Sequence, residues 1–181
     1  MQKSEDAELM HQVKEHDDQS AFAQLLKRHY QSWLYFAVRM LDNQAIAEDM
    51  VQEICIKIWN SRHEWKPSAK VNTWVYTLLY RHCIDALRSQ KIRTTETYDD
   101  SLHRSVDGTP LSLIEKLENE EILQQLKRGF SRLSTDEKAI FVLHYYHNMK
   151  QDELCEIFKQ SSSAIESSLY RARKKLKGWL Q

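Results

Sequence analysis

Apolar residues recur every three or four positions along most of this 181-residue chain, which is the spacing of amphipathic α-helices. The pattern predicts helices over residues 5–16, 20–40, 45–60 and 72–91, and it resumes near Leu113 after an interval without periodicity. Long alternating runs of the β type do not occur. With only three glycines and two prolines, helix-forming residues dominate the composition. The sequence therefore predicts an all-α protein.

The interval without periodicity, residues 94–112, reads TTETYDDSLHRSVDGTPLS and carries four acidic residues together with Gly108 and Pro110. It is longer than the connections usual within one compact domain. We therefore predict two small helical domains, over residues 1–93 and 113–181, joined by a flexible acidic linker over 94–112.

The region 148–177 predicts a helix-turn-helix. The second of its helices has apolar residues spaced i, i+4, i+7 and i+11 at Ile165, Leu169, Ala172 and Leu176. Hydroxyl side chains suited to capping that helix occupy the turn, at Ser161, Ser162 and Ser163. Five cations lie near its end: Arg171, Arg173, Lys174, Lys175 and Lys177. A helix of this kind can lie in the major groove of DNA, although an ordinary α-hairpin with a solvated basic end has the same pattern.

The distribution of charge along the chain favours DNA binding, even though the formal net charge is zero. Acidic residues are in excess over 1–59 and 94–135, whereas basic residues are in excess over 60–93 and 136–181. The basic blocks could face phosphates, while the acidic blocks could face a protein or keep the molecule soluble.

The predicted helix over 45–60 has a second face beside its apolar one. Asp49, Gln52, Glu53 and Ile56 fall at i, i+3, i+4 and i+7 on that face. An ordinary solvated face is one interpretation. The other is a docking surface for a basic helical partner, with Ile56 as its apolar anchor.

The loop over 60–70 and the helix that follows combine aromatic and basic residues. Trp65 lies in the loop beside Lys66 and Pro67, where it can either pack on the next helix or offer a platform to an unstacked base. The following helix carries Trp74, Tyr76 and Tyr80 among cations that include Arg81 and Arg88. Aromatics interleaved with cations are typical of single-strand binding surfaces.

Several classes of function are not expected. The chain has no apolar run of about 20 residues that would insert into a membrane, and the acidic start MQKSEDAELM does not resemble a signal peptide. Cys55, Cys83 and Cys155 are typical of reduced thiols in a cytoplasmic protein. We interpret His144 and His147 as structural, without zinc or any cofactor. No nucleophile, base and metal grouping converges, so we do not expect an enzyme.

Five segments in a fixed order carry a family resemblance over nearly the whole chain: AFAQLLKRHY, AEDMVQEICIKIW, TWVYTLLYRHCIDALR, LSTDEKAIFVLHYYHNMKQDELCEIF and SLYRARKKLKGWL. In them the chain resembles bacterial RNA polymerase sigma factors of the extracytoplasmic-function (ECF) group of the sigma-70 family. The resemblance implies a transcription initiation factor that binds core RNA polymerase, directs it to promoters and helps to melt the minus-ten region.

The resemblance also implies roles for individual residues. Binding to the clamp helices of the largest polymerase subunit would fall to Asp49, Gln52, Glu53 and Ile56. Contact with minus-ten DNA, partly single-stranded, would fall to Asn60, Trp65, Lys66, Lys70, Asn72, Thr73, Trp74, Tyr76, Arg81, Asp85 and Arg88. Contact with the duplex minus-thirty-five element would fall to Ser161, Ser162, Ser163, Glu166, Ser167, Tyr170, Arg171, Arg173 and Lys174. An anti-sigma factor, or another regulatory or recruiting protein, is a further expected partner.

Four positions depart from what the family commonly carries. Arg81 replaces an asparagine, Lys159 replaces a glycine in the turn of the helix-turn-helix, and Glu166 and Ser168 replace cations. We expect an altered or weakened minus-thirty-five contact and greater reliance on a recruiting protein. The competing interpretations are a stand-alone helix-turn-helix regulator, which needs no polymerase contact, and a helical scaffold without a nucleic-acid function.

Overall fold

The computed structural model describes residues 2–96 and 129–177, which form two helical units that are treated separately below. The first contains α1 (Gln2–His16), α2 (Gln19–Leu41), α3 (Gln44–Asn60), a 3-10 helix (Arg62–Glu64) and α4 (Val71–Glu96). The second contains α5 (Thr135–Tyr145), α6 (Gln151–Phe158) and α7 (Ser162–Lys177). The predicted all-α class and the division into two small helical domains are confirmed.

In the first unit, α2 packs against α1, α3 and α4. Its apolar stripe buries Leu25, Trp33 and Phe36 almost completely. The facing helices contribute further fully buried side chains: Met10, Val13, Ile54, Ile58, Val75 and Leu79. Burying a large apolar side chain contributes roughly 1.5–3 kcal/mol, so this core orients the outer faces of α3 and α4.

Short polar residues set the helix ends. The side chain of Asp18 accepts hydrogen bonds from two backbone N–H groups of the first turn of α2. Asp42 ends α2 in the left-handed conformation, with φ 53°, and Asn43 caps α3 by accepting from Ile46 N at 3.1 Å. This turn and cap fix where the exposed face of α3 begins.

The second unit begins α5 with a capping box. Ser134 Oγ accepts from Glu137 N at 3.2 Å, while Glu137 Oε2 accepts from Ser134 N at 2.9 Å. The interior of this unit is made of Ile140, Leu143, Leu154, Ile165 and Ala172, all of them fully buried. The predicted helix-turn-helix is confirmed as α6 followed by α7.

Lys159 forms the turn of the helix-turn-helix although it is not a glycine. It ends α6 with φ 52° and ψ 43°, and its N–H donates to Cys155 O. A residue with a Cβ costs about 1–2 kcal/mol in this left-handed region. The turn forms because the packing of both helices outweighs that cost, so the turn geometry is retained without glycine.

α4 continues to Glu96, beyond the end expected near residue 91. Residues 97–112 of the predicted linker and residues 113–128 of the predicted second domain lie outside the described part of the chain. The boundaries at 93, 94, 112 and 113 remain predictions.

Candidate nucleic-acid and protein interfaces

One face of α3 is left exposed by the helices described over residues 2–96. Asp49, Gln52, Glu53 and Ile56 are all exposed, whereas the opposite face buries Ala47, Met50, Val51, Ile54 and Ile58. Ile56 is 63% exposed. The prediction that these four residues share one exposed face is therefore confirmed. On that face an apolar side chain lies beside two carboxylates and an amide.

Neighbouring side chains hold this face in place. Gln52 forms a side-chain hydrogen bond with Tyr30 of α2. This bond partly opposes the rise in the pKa of Tyr30 that burial causes. Lys57 Nζ lies 2.8 Å from His82 Nε2 on α4. Burial and the charge of Lys57 lower the pKa of His82, which favours a neutral imidazole that accepts from the ammonium. α3 is thus joined to α4 at the edge of its exposed face.

The expectation that Trp65 offers a stacking platform is wrong. Its side chain is 1% exposed, and its indole Nε1 donates to Ala69 O at 3.0 Å. Burying an indole removes a large apolar surface from water, and the internal acceptor satisfies its one donor. Trp65 therefore stabilises the loop from inside, and its ring is not exposed at the surface.

Thr73 and Tyr76 are also corrected as surface residues. Thr73 is 3% exposed and Tyr76 2% exposed. The ring of Tyr76 packs edge-on against Phe36 with centroids 5.5 Å apart, and burial raises the pKa of its phenol well above the usual range. Tyr76 therefore packs against α2 as part of the core, and Thr73 is buried as well, so neither side chain lies on an exposed surface.

The other predicted minus-ten residues are accessible. Asn60, Lys66, Arg81, Asp85 and Arg88 are exposed, and Lys70, Asn72 and Trp74 are half-buried. On α4 the spacing of positions 74, 81, 85 and 88 places all four on one side of the helix. Arg88 and Asp85 form a loose ion pair at 3.9 Å between exposed groups, which contributes little to stability and leaves the arginine able to contact phosphate.

The start of α7 is organised by hydrogen bonds from α6. Ser161 Oγ accepts from Ala164 N at 3.3 Å and so caps the helix. Gln151 Nε2 lies 2.7 Å from Ser162 Oγ and 2.9 Å from Glu166 Oε1. The predicted cap is confirmed at Ser161, and Glu166 is exposed but oriented by an amide from the preceding helix.

Ser168 does not belong to the exposed face of α7. It is 5% exposed, and Arg171 donates to its Oγ at 3.0 Å. The absence of a cation at position 168 therefore does not alter the charge of the exposed face, and the expected weakening of the minus-thirty-five contact stays a prediction. A charge buried at this position would lose its hydration.

Glu137 forms ion pairs with two of the five cations of α7, an arrangement that the sequence did not predict. Its carboxylate lies 3.2 Å from Arg171 Nε and 2.6 Å from Lys175 Nζ, and its side chain is almost fully buried. Burial alone would raise the pKa of Glu137. The hydrogen bonds from Lys175, the Ser134 amide and Arg171 outweigh burial, so the pKa is lowered.

The remaining cations of α7 point to solvent. Arg173 and Lys174 are exposed, and neither forms an ion pair with a carboxylate within 129–177. Tyr170 lies on the same helix and is 64% exposed. These side chains are the ones best able to reach a phosphate backbone.

The described helices include no candidate metal site and no helix suited to spanning a membrane. Among residues 2–96 and 129–177, no cluster of His, Cys, Asp and Glu side chains could bind a metal ion. In the same ranges no helix combines the length and hydropathy needed to cross a membrane. The sulfur of Cys83 lies 3.6 Å from that of Met50 in the core, and the three cysteines are free.

The two units match two parts of one known family. The sequence profile described as Sigma-70 region 2 matches residues 25–93, and that described as Sigma-70, region 4 matches residues 123–176. The chain belongs to the ECF-type sigma-70 family. It is an RNA polymerase sigma factor that directs promoter-specific transcription initiation, and sigma factors are non-catalytic subunits that bind core RNA polymerase and promoter DNA.

Relatives cover most of this sigma factor. RNA polymerase sigma factor YlaC of Bacillus subtilis is 24% identical over 155 residues, covering 84% of this chain and 88% of the relative. ECF RNA polymerase sigma factor RpoE of Cereibacter sphaeroides is 27% identical over 147 residues, covering 81% and 78% respectively. ECF RNA polymerase sigma factor SigW of Bacillus subtilis is 26% identical over 173 residues and covers 91% of both chains.

Two solved structures share the fold. Sigma factor RpoE of Bartonella quintana, in complex with the anti-sigma factor NepR, superposes with a TM-score of 0.72 at 19% identity, covering 88% of this chain and 96% of that one. CnrH, in complex with the cytosolic domain of CnrY, gives 0.71 at 23% identity and covers 97% of both. The predicted family and function are confirmed, in preference to a stand-alone regulator or a scaffold.

Proposed function

We propose that this sigma factor binds core RNA polymerase through the exposed face of α3, at the clamp helices of the largest subunit. The observation that carries the proposal is Ile56, an isoleucine 63% exposed in the middle of a face that also bears Asp49 and Glu53. An apolar anchor within a charged rim is the usual anatomy of a protein interface. Two carboxylates give that rim the sign that suits a basic helix.

We propose that the tip of the loop after α3 and one side of α4 bind the melted minus-ten region. Lys66 at the tip and Arg81 and Arg88 on α4 supply accessible positive charge for the strand backbone. Trp74 supplies the one partly exposed aromatic ring among the predicted contacts on that side. With Trp65 and Tyr76 buried, we expect stacking to contribute less than the composition of the segment indicated.

We propose that α7 binds the minus-thirty-five element. Its first residues, Ser162, Ser163 and Glu166, occupy the position from which recognition helices contact base edges, and the Glu166 carboxylate could accept from the amino group of a cytosine. Arg173 and Lys174 would bind phosphates, with Ser167 and Tyr170 beside them. Because Glu137 already pairs with Arg171 and Lys175, we expect fewer phosphates to be neutralised than the number of cations implies.

We also propose a regulatory protein partner. The two solved structures described above are complexes, one with the anti-sigma factor NepR and one with the cytosolic domain of CnrY. A modest minus-thirty-five contact supports a second role for such a partner, in recruitment. A footprint with strong minus-thirty-five protection by holoenzyme alone would contradict that second role.

Two exposed hydrophobic residues, one on α3 and one on α7, allow a matched test of whether α3 binds polymerase and α7 binds DNA. Ile56→Ala should weaken binding to core polymerase about tenfold or more, because an interface anchor typically contributes at least 1–2 kcal/mol. Tyr170→Ala removes a side chain of equal exposure from α7 and should leave polymerase affinity unchanged while weakening minus-thirty-five DNA binding. Polymerase affinity is measured by fluorescence anisotropy with labelled sigma factor. Equal polymerase affinity of both variants would refute the assignment of α3.

A further inference from the structure

The loop between α3 and α4 is fastened to the end of α1. Lys14 Nζ donates to Trp65 O at 3.0 Å, a contact that spans 51 positions of sequence. Three residues further on, Asp17 Oδ1 accepts from Arg62 Nε at 2.6 Å. Lys14, in the last turn of α1, therefore contacts the backbone of the loop, and Asp17, the first residue after α1, contacts Arg62 at the start of the loop.

Inside the loop, further contacts fix its path. The Trp65 indole donates to Ala69 O, and Ala69 N donates to Lys66 O at 2.8 Å, which closes a turn over residues 66–69. Arg62 donates to Trp59 O at 2.7 Å, and its guanidinium carbon lies 4.7 Å from the centre of the Trp59 ring. The loop is thus held at its start and its middle, while Lys66, Pro67 and Ser68 remain exposed at the tip.

We infer that Lys14 and Asp17 are positioning residues for minus-ten recognition, acting through the conformation of this loop. The inference rests on the proposed role of the loop in binding an unpaired base. α1 lies before residue 25, where the Sigma-70 region 2 match begins. A loop that is already ordered loses less entropy on binding, and so binds its ligand more tightly.

The alternative role for Lys14 is direct contact with a phosphate. Its ammonium already donates to a partly buried carbonyl oxygen of the loop. This contact favours the structural role, because binding a phosphate would compete with it. The two roles differ in what they do to the loop. A positioning residue changes the order of residues 61–70 when it is removed, whereas a phosphate contact leaves the loop unchanged.

The test uses two separate single variants, Lys14→Met and Asp17→Asn, each in reconstituted holoenzyme. Promoter opening is measured by permanganate reactivity of minus-ten thymines, and loop order by hydrogen exchange of the amides at 61–70. We expect opening to fall roughly three- to tenfold and loop exchange to rise by about tenfold, as for loss of one charge-assisted hydrogen bond. Lys14→Arg should restore both. Lys27→Met, at an exposed lysine of α2, should change neither.

A third variant separates this inference from the function on which it rests. Replacing residues 66–68 by glycine removes the tip side chains, and in that background Lys14→Met should have little further effect on opening. If the tip variant alone opens promoters normally, the proposed role of the loop is wrong. If the tip variant is defective but Lys14→Met opens promoters normally, or is defective with unchanged loop exchange, the inference about α1 is overturned.

Discussion

Reversing two charges on α3, by Asp49→Lys together with Glu53→Lys, is expected to reduce binding to core RNA polymerase by at least about 100-fold. Each reversal replaces an attraction to a basic partner by a repulsion, and close charge pairs across interfaces couple by about 1.5 kcal/mol or more. Both side chains are exposed, and surface substitutions usually change stability by no more than about 0.5 kcal/mol. The measurement is a titration of core polymerase with labelled sigma factor at low and moderate salt.

A matched control comes from the same unit. Glu8→Lys with Glu15→Lys makes the same change in net charge at exposed positions of α1, so it reproduces any long-range electrostatic effect without altering the α3 face. We expect this control to bind polymerase within about threefold of the parent protein. If the α3 variant binds as well as the α1 variant, the acidic face is only a solvated surface and the polymerase contact lies elsewhere.

Acidification is expected to destabilise the α5–α7 unit through His147. Burial lowers the pKa of its imidazole to about 4, whereas in the unfolded chain the pKa is about 6.5. Between these values the unfolded chain binds a proton that the folded one does not. The stability that the neutral His147 contributes to the folded unit is therefore fully present above pH 6.5 and is lost as the pH falls towards 4. At about 1.4 kcal/mol per pH unit, roughly 3 kcal/mol is lost across that window.

The measurement for His147 is urea unfolding at pH 7 and pH 5, followed by the amide signals of α5 and α7. Relative to His147→Gln, the parent protein should lose about 2 kcal/mol more between these two pH values. His11→Gln, at an exposed histidine of α1, should behave like the parent. Titration of the histidine ring signals gives a direct check. A ring proton of His147 that titrates near pH 6.5 would contradict the expected burial effect.

The outward faces of α3 and α7 could be predicted from the sequence because helical spacing alone assigns side chains to faces. Asp49, Gln52, Glu53 and Ile56 share a face whatever the helix packs against. The same holds for the apolar stripe of α7. Polar caps such as Asn43 and Ser161 act within a few residues of themselves, so they were also predictable from local sequence.

The aromatic residues of the loop and α4 were harder to assign. α4 carries apolar or aromatic residues around much of its circumference, so composition did not show which of Trp74 and Tyr76 would face α2. Trp65 is buried, and its backbone carbonyl accepts from Lys14, 51 positions away, a contact that depends on the tertiary structure. The pairing of Glu137 with Arg171 and Lys175 spans 34 and 38 positions, and no local pattern predicts contacts of that range.

The central claim is that three surfaces of one sigma factor have separate partners, and one cross-linking experiment tests it most directly. A photoreactive amino acid is placed in turn at Ile56, Lys66 and Tyr170, and each protein is assembled with core polymerase on promoter DNA. The account predicts that position 56 cross-links to the largest polymerase subunit, position 66 to the minus-ten region and position 170 to the minus-thirty-five duplex. Cross-linking of position 56 to DNA, or to no polymerase subunit, would contradict it.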